Sequence, residues 1–440
     1  MMASQRVIVI GHTDVGSRVC ALLQERGLNV THLDDPTDVE LQASLGDDVA
    51  GVAVLLHDDI RALRYCLAVE HLRPQIRLFA AIFDRTVRSQ LETSVPNCVV
   101  MSPAAIAAPS MVAAAIAPSV AAVRRHTVPS VREWVTISKN APHTIAEYKV
   151  PGSLRLRGLI GMLRGQGRAY DRGSAVLLTG FFGLTFITLI DTLIGARHED
   201  FLVALRDAVL TTATIWTPEI GHEPARLLWS TGAAALVMMF AAAFGAGIVH
   251  HLLEGRHASI IGRRVTPRSG HVIVAGMGQV GIRLAQELRE IGVAVVCIET
   301  RADAPTIPMA KGLRIPVIID NAASRSALKR AGISRAIALV AAGSDERDNI
   351  AIAISALACA PNIEVVLRAG SDAAIDETRS LFHIGSTVDV NALTAAFVAQ
   401  AMSGEHPYLT LRSGEDIVAI DNTGAVTAHY AAHTGRCTCN

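Results

Sequence analysis

The sequence predicts two doubly wound α/β domains that flank a pair of membrane-spanning helices. Three observations predict this organisation. Short apolar strands alternate with amphipathic helices towards both ends of the chain, a glycine-rich turn opens each of those regions, and two long apolar runs lie between them. Apolar residues make up 50% of the 440 residues, and the mean hydropathy is +0.36. This composition favours a membrane protein over a soluble globular one.

The second α/β region, residues 270–403, carries the stronger nucleotide-binding pattern. A strand leads into the turn Gly276-Met-Gly-Gln-Val-Gly281, a helix follows, and Glu299 ends the next strand 23 residues after Gly276. In Rossmann-like domains such a turn brings helix N-terminal amides to a pyrophosphate, and the acid accepts hydrogen bonds from ribose hydroxyls. The alternative is a glycine turn that serves packing only. The predicted nucleotide-binding residues are Gly276, Met277, Gly278, Gln279, Val280, Gly281, Glu299 and Asp320.

The first α/β region, residues 1–125, repeats this scheme, so the two regions form an internal repeat. Its turn runs from Gly11 to Gly16, and Asp34 again follows the first glycine by 23 residues. Thr13 stands where the middle glycine belongs, and a side chain there obstructs the approach of a phosphate. The next strand follows sooner than in the second copy, which indicates that one strand-helix unit is lost. We therefore expect a similar fold with a weaker or empty nucleotide site.

Residues 174–195 and 227–249 are each long and apolar enough to cross a bilayer. The flanking segments 151–173 and 251–270 are rich in arginine, whereas the connecting loop 196–226 is richer in acids. The positive-inside tendency then places both flanks in the cytoplasm. The chain also starts without a long apolar signal segment. The expected location is the cytoplasmic (inner) membrane, with two spans and both termini in the cytoplasm.

The loop between the two spans contains an apolar segment of helical spacing, residues 201–216, which ends in a threonine-rich turn before Pro218. A span, a short helix that dips back into the membrane, a polar turn and a second span together form the pore of tetrameric cation channels. The alternative is an interfacial helix that lies on the outer leaflet. The predicted filter residues are Thr211, Thr212, Ala213, Thr214 and Ile215.

Three residues of the spans each have two interpretations. Gly245 and Gly247 in the second span are candidate hinges of a gate, or small residues that allow close helix packing. Asp191, near the outer end of the first span, is a candidate for attracting cations, or a surface acid that snorkels or pairs with Arg197. The sequence leaves these alternatives open.

Charge and cysteine usage exclude several classes of protein. The 40 Lys and Arg residues balance the 40 Asp and Glu residues, so no nucleic-acid partner is predicted. Most of the 7 cysteines lie singly in apolar runs, as reduced core residues do. Cys437 and Cys439 lie close to His429 and His433 and form a candidate metal site. A frayed polar tail is the more common structure there, so no metal is predicted.

These patterns divide the chain into six parts. A basic linker and pre-membrane segment follows the first α/β domain, a second linker follows the membrane helices, and a short extension ends the chain. The predicted boundaries are 1–125, 126–173, 174–250, 251–269, 270–403 and 404–440.

Several stretches resemble the domains that regulate conductance of potassium, the RCK or TrkA-N family. They are the glycine turn with Glu299, residues 318–350 (IIDNAASRSALKRAGISRAIALVAAGSDERDNI) and, in the first copy, residues 58–84 (DDIRALRYCLAVEHLRPQIRLFAAIFD). The resemblance implies a homotetrameric, ligand-gated potassium-channel-like protein in membrane lipid, which passes potassium or another monovalent cation. It implies NAD(H) or an adenine nucleotide such as ATP or ADP as the ligand, since Glu299 favours an unphosphorylated ribose.

The sequence departs from this family in two places. Members that conduct potassium carry a Thr-Val-Gly-Tyr-Gly filter, whereas residues 211–221 read TTATIWTPEIG. The chain after residue 404 is also short for the family's second, ligand-binding lobe. These departures favour the alternative of a membrane-anchored nucleotide sensor that regulates a separate transporter without conducting ions. A nicotinamide-dependent enzyme is not expected, because no paired His and acid or Tyr-x-x-x-Lys arrangement marks a hydride-transfer site.

Overall fold

The structure, a computed structural model, describes residues 6–128, 131–138, 145–147, 172–197, 199–213, 224–253, 267, 269–369, 385–413, 416–421 and 425–431. The chain divides into two compact units, one formed by residues 1–164 and 266–440 and the other by residues 165–265. The first unit contains both α/β domains, and the second contains the apolar helices.

The first α/β domain is built on a five-stranded parallel sheet. Its strands are β1 (Arg6–Ile10), β2 (Asn29–Leu33), β3 (Val49–Val54), β4 (Arg77–Ala81) and β5 (Cys98–Met101). Its helices are α1 (Asp14–Glu25), α2 (Asp38–Ser44), α3 (Asp59–Leu72), α4 (Arg85–Ser94) and α5 (Pro103–Ile116). The strand order is β2-β1-β3-β4-β5, so the direction of winding reverses between β1 and β3. The apolar central strands are buried on both faces, as expected for a parallel sheet covered by helices.

The described residues of the second α/β domain form a sheet of six parallel strands. In the order of the chain, its strands are β9 (His271–Ala275), β10 (Ala294–Glu299), β11 (Val317–Ile319), β12 (Ala338–Ala341), β13 (Glu364–Ala369) and β14 (Ser386–Asp389). Its helices are α9 (Gln279–Ile291), α10 (Ile307–Gly312), α11 (Arg325–Arg330), α12 (Glu346–Cys359) and α13 (Val390–Met402). The order β11-β10-β9-β12-β13-β14 reverses between β9 and β12, and ligands of such sheets bind at that reversal.

The two sheets differ by one edge strand. In the second sheet β11 extends the edge beyond β10, whereas β2 ends the first sheet at the corresponding edge. This confirms the expectation that the first copy has lost one strand-helix unit. The remaining strands occur in the same order in both sheets, which confirms two copies of a Rossmann-like fold.

Aspartate side chains set the start of several helices in both domains. Each accepts hydrogen bonds from amides of the first helical turn, which otherwise have no partner within the helix. These N-cap residues are Asp58 before α3, Asp84 before α4, Asp345 before α12 and Asp389 before α13. The short polar side chains therefore fix where the chain turns from the carboxyl end of a strand into a helix.

Each α/β domain is followed by a small antiparallel sheet. The first comprises β6 (Val120–Val128), β7 (Val131–Ser138) and β8 (Ile145–Glu147), and the second comprises β15 (Leu409–Ser413), β16 (Asp416–Ile420) and β17 (Val426–Ala431). The sequence predicted a linker over 126–173 and an extension over 404–440, so the described residues of both segments are more ordered than expected. The reason is pairing, because β7 pairs with β6 and β16 with β15 along their length.

The two α/β domains exchange their last helices. Helix α5 of the first domain packs against α9 and against strands β12, β13 and β14 of the second. Helix α13 of the second domain packs in turn against α1 of the first. A buried ion pair joins the domains, with Arg18 Nη1 2.7 Å from Asp389 Oδ2. One apolar core therefore runs through both domains, which includes residues of both sheets.

The described residues of the second compact unit, called the membrane unit below, form the helices α6 (Arg172–Gly195), α7 (Phe201–Thr212) and α8 (Pro224–Leu253). Helix α6 packs along α8 and also contacts α7. Val176–Gly195 and Leu228–Val249 are long and apolar enough to cross a membrane, with mean hydropathies of 1.9 and 2.1. They agree with the predicted spans, and α7 is the helix predicted between them.

Candidate functional site

The glycine turn of the second domain follows β9 and leads into α9. Gly276 has a φ of +88°, a conformation that favours glycine, and a Cβ there would lie 2.8 Å from the amide nitrogen of Gly343. A Cβ on Gly281 would lie 1.9 Å from the carbonyl oxygen of Gly276. No atom lies within 4 Å of a Cβ built on Gly278. Packing therefore requires the two outer glycines, whereas the middle glycine leaves the space over the helix start open.

Helix α9 begins after Gly278, an N-cap residue that provides no capping side chain. The first amides of a helix have no partner within the helix, and the helix dipole adds partial positive charge there. Met277 and Val280 are buried in the core and hold this end of the helix against the sheet, while Gln279 is half-buried. The arrangement suits an anion such as a phosphate.

Glu299 lies at the carboxyl end of β10, beside the glycine turn. Its Oε2 accepts a 2.7 Å hydrogen bond from the amide of Met277. Its Oε1 accepts hydrogen bonds from the amides of Thr300 and Arg301, at 3.0 and 3.1 Å. The carboxylate is thereby fixed next to the turn, and its remaining lone pairs can accept hydrogen bonds from a ligand.

Asp320 lies beside Glu299 because β11 pairs with β10. The Asp320 amide donates to the carbonyl oxygen of Glu299 at 3.0 Å. The Asp320 carboxylate accepts hydrogen bonds from the guanidinium of Arg330 and, at 2.7 Å, from the amide of Asn321. The structure therefore brings together all of the predicted binding residues at one edge of the sheet. The carboxylate of Asp320 is already paired with the guanidinium of Arg330.

Sequence reasoning missed two polar residues that shape this edge. Asn349 is fully buried, accepts a 2.9 Å hydrogen bond from the Gly343 amide, and donates to the carbonyl oxygens of Gly343 and Arg368 at 3.0 and 3.1 Å. Thr306 Oγ1 donates to the carbonyl oxygen of Met277 at 2.5 Å. The sequence did contain a signal for this part of the site. Gly343 follows β12, the strand on the other side of the winding reversal from the glycine turn.

Arg368 is a further residue that the sequence did not single out. It lies near the carboxyl end of β13, two residues after Val366, whose side chain packs in the same core as Val280 of α9. Since side chains alternate along a strand, Arg368 is on the face of the sheet that α9 covers. Burial lowers the pKa of its guanidinium, and Glu346 opposes that shift. Among the described residues, no hydrogen bond or ion pair engages this side chain.

The turn of the first domain closes the corresponding helix start with its own side chain. Thr13 is buried, its Oγ1 accepts a 3.0 Å hydrogen bond from the amide of Gly16, and it donates to the carbonyl oxygen of Leu55 at 2.9 Å. The hydroxyl thus takes up an amide that a phosphate would use. This geometry supports the expectation of a weaker or empty site in the first copy.

The predicted filter residues are only partly within the described structure. Thr211 and Thr212 form the last turn of α7, and Ala213 is its C-cap, while Thr214 and Ile215 lie outside the described residues. Thr211 Oγ1 donates to the carbonyl oxygen of Asp207, and the hydroxyls of Thr212 and Thr188 are 2.9 Å apart. Thr211 and Thr212 are therefore part of the helix, and the role of these five residues as a filter stays a prediction.

The two candidate hinge glycines have different surroundings. A Cβ on Gly247 would lie 2.6 Å from Cβ of Leu177 on α6, whereas nothing lies within 4 Å of one on Gly245. Gly247 therefore serves close helix packing, whereas Gly245 has open space around it within this unit. Asp191 accepts a 2.8 Å hydrogen bond from Trp229 Nε1 rather than pairing with Arg197, so its carboxylate joins the C-terminal part of α6 to the N-terminal part of α8.

Within the described residues, no group of three or more His, Cys, Asp or Glu side chains is arranged to hold a metal. His429 lies in β17, while Cys437, Cys439 and His433 lie outside the described part of the chain.

Comparison with known proteins gives a family model and several relatives. The TrkA-N domain model matches residues 272–388. Potassium channel protein 1 of Methanocaldococcus jannaschii is 24% identical over 206 residues, which cover 45% of this chain and 62% of that protein. K(+) efflux antiporter 2, chloroplastic, of Arabidopsis thaliana is 26% identical over 237 residues, which cover 51% of this chain and 19% of that protein. The chain thus spans less than two thirds of either relative.

Two solved structures resemble the fold over most of the chain. The GsuK RCK domain has a TM-score of 0.50 and 13% identity, covering 91% of this chain and 76% of that one. The GsuK channel bound to NAD has a TM-score of 0.50 and 15% identity, covering 90% of this chain and 63% of that one. At such identities the likeness concerns the fold alone. Residues 272–388 therefore form a TrkA-N domain, and parts of the chain are similar to a potassium channel protein and to a potassium efflux antiporter.

Proposed function

We propose that this chain is a potassium-channel-like membrane protein regulated by a nucleotide. The observation that carries the proposal is the uncapped start of α9 at Gly278, which lies beside the fixed Glu299 carboxylate in a chain that also has two spans. One relative is a potassium channel protein and another a potassium efflux antiporter. A role in monovalent cation transport is consistent with both.

The nucleotide would bind across the carboxyl edge of the second sheet. Its phosphates would lie on the first amides of α9, and its ribose hydroxyls would bind Glu299. Arg368 offers a guanidinium on the same face of the sheet for a phosphate oxygen. NAD(H) and the adenine nucleotides ATP and ADP all fit this description, and one structural relative is bound to NAD.

Regulation requires that the nucleotide bind two conformations unequally. Helix α9 is suited to this role, since it begins at the nucleotide site and packs against α5 of the first domain. A shift of α9 would change the packing between the two domains. We propose that the linker 251–269 passes this change to α8 in a homotetramer of the inner membrane, with both termini in the cytoplasm.

A non-conducting nucleotide sensor that regulates a separate transporter is the second candidate. It is favoured by the helical backbone of Thr211 and Thr212 and by the lack of a Thr-Val-Gly-Tyr-Gly filter in the sequence. Both candidates use the same nucleotide site and differ only in whether the membrane unit passes ions. Neither candidate is an enzyme.

Ion flux through purified protein in liposomes separates the two. Potassium and sodium flux would be measured with NADH, NAD, ADP, ATP and no nucleotide, with Gly278→Asp as a matched variant that keeps the membrane unit intact. Flux that changes with nucleotide in the wild type but not in the variant supports the gated channel. Nucleotide binding without flux in any condition supports the sensor, and no binding of any nucleotide contradicts both.

A further inference from the structure

Helix α9, which packs against α5 of the first domain, carries a buried glutamate. Glu287 is 7% exposed. Its Oε1 accepts a 2.9 Å hydrogen bond from Arg283 Nε, one turn earlier on the same helix. Its Oε2 is buried and has no hydrogen-bond partner among the described residues. A buried carboxylate with an unsatisfied oxygen is unfavourable when it is ionised.

A half-buried arginine of the first domain's small sheet acts on this carboxyl group. Arg124, on β6, donates to the carbonyl oxygen of Tyr408 and lies 4.1 Å from the centre of the Tyr408 ring. Arg124 and Glu287 interact electrostatically, and no hydrogen bond of the described structure joins their side chains. Residues distant in sequence therefore meet here, from β6, from α9 and from the segment before β15.

The charged groups that act on Glu287 come from two elements. Arg283 and Glu290 lie on α9 itself, and Arg124 lies on β6. Helix α5, which packs against α9, has no titratable side chain. The strands beneath α9 carry three titratable residues that do not act on Glu287, namely His271, Cys297 and Glu299. Burial raises the pKa of Glu287 to about 7, with Arg283 and Arg124 opposing the rise and Glu290 adding to it.

We propose that Glu287 is a proton-dependent contact that controls how tightly α9 packs against the first domain. When Glu287 is protonated, its carboxyl group is neutral and α9 stays packed against α5. When Glu287 is ionised, its unsatisfied oxygen favours conformations in which α9 separates from α5 and water reaches the carboxylate. Any effect on ligand binding rests on the proposed function, whereas the proton-dependent packing does not.

Linkage gives the direction of the pH effect. In an opened conformation Glu287 regains the ordinary value of 4.5 for a glutamate, whereas its pKa in the packed conformation is about 7. The packed conformation therefore holds the proton more tightly, so the stabilisation is complete below pH 4.5 and is lost as the pH rises to about 7. Within that window the opening constant rises by up to roughly tenfold per pH unit.

Hydrogen exchange of the full-length protein in nanodiscs measures this opening. Amide exchange in Gln279–Ile291 and Val120–Arg124 would be followed from pH 5 to pH 8 and corrected for the intrinsic pH dependence of exchange. In the wild type we expect the opening constant to rise roughly 10- to 100-fold up to pH 7 and then level off. Glu287→Gln should abolish the rise, and Glu290→Gln, on the exposed side of the same helix, should keep it.

Arg124→Gln provides a second measurement that does not depend on the stability of the Glu287 variant. Removing the Arg124 guanidinium should raise the pH at which the opening constant stops increasing, since Arg124 lowers the pKa of Glu287. A wild type without pH dependence in these segments would overturn the proposal. So would a Glu287→Gln protein that keeps the wild-type profile, or an Arg124→Gln protein whose profile does not move.

Discussion

At the scale of single residues, one position in each glycine turn determines whether a phosphate can reach the helix start. Gly278 leaves open space over α9, whereas the Thr13 hydroxyl accepts a hydrogen bond from the amide of Gly16 on α1. The two turns otherwise share their outer glycines and a buried apolar setting. A threonine side chain in place of the glycine hydrogen atom therefore caps the helix start that stays open at Gly278.

Gly278→Asp should remove nucleotide binding without destabilising the domain. The backbone angles of Gly278, φ −62° and ψ −173°, suit an aspartate, which is favoured at an N-cap. Its carboxylate would occupy and repel the phosphate position, so affinity should fall by roughly tenfold or more, while the melting temperature stays the same or rises. Isothermal titration and thermal unfolding measure the two effects.

Gly281→Ala is the matched control, because its Cβ would lie 1.9 Å from the carbonyl oxygen of Gly276. It should lower the melting temperature. Wild-type affinity in Gly278→Asp would contradict the placement of the phosphates.

Arg368→Gln should weaken the binding of phosphorylated nucleotides only. Loss of a charge-assisted hydrogen bond to a phosphate is worth about 1.5–3 kcal/mol, so affinity for ATP, ADP or NAD should fall by roughly 10- to 100-fold. Adenosine binding should not change. Arg347 is an exposed arginine in the first turn of α12, and Arg347→Gln tests for a general effect of charge. Equal losses of nucleotide affinity in the two variants would contradict a direct role of Arg368.

At the scale of elements, α6 and α8 are held together by glycines facing bulky side chains. A Cβ on Gly180 would lie 2.5 Å from the backbone of Phe244, and one on Gly183 would lie 2.3 Å from the ring of Phe240. Gly247 makes the same kind of close approach to Leu177. Small residues allow such contact where lipid provides no hydrophobic driving force between helices.

Gly247→Ala should therefore destabilise the membrane unit, whereas Gly245→Ala should not. Overpacking of a tight contact costs about 1–3 kcal/mol, and an alanine on an open helix face gains up to about 1 kcal/mol over glycine. Thermal unfolding in one detergent would show a lower midpoint for Gly247→Ala only. Altered ion flux in Gly245→Ala with unchanged stability would support a hinge at Gly245, and equal unfolding midpoints for the two variants would contradict the packing role of Gly247.

At the scale of the whole molecule, the exchange of α5 and α13 makes the two α/β domains one cooperative unit. Arg18 on α1 and Asp389 at the start of α13 form an ion pair with about 10% or less of each side chain exposed. Asp389 also accepts a hydrogen bond from the amide of Ala392 and so caps α13. The residue that caps α13 therefore also forms the buried ion pair between the two domains.

Arg18→Met should destabilise this unit strongly. Removing one partner of a buried ion pair costs about 3–5 kcal/mol because the other charge stays buried. Urea unfolding followed by fluorescence should show a lower midpoint for both domains together. Arg64→Met removes an exposed pair with Asp38 and should cost no more than about 1 kcal/mol, so similar midpoints for the two variants would contradict this account.

The sequence by itself determined the local structure and the chemistry of the candidate site. The glycine turn, the acid at the end of β10 and the two spans are visible because turn chemistry and apolar periodicity are local properties of the chain. The shortened first copy could be predicted too, since the spacing from Asp34 to the next strand is a count along the sequence.

Only the tertiary structure decided which distant segments meet. Asn349, Arg368 and Thr306 are brought to the glycine turn by the order of strands, and the exchange of α5 and α13 places Glu287 near Arg124. The small sheets around β7 and β16 were missed for the same reason, because a short strand is stable only when its partner is in place. Pairing of this kind depends on surfaces far apart in the chain, and no local pattern records it.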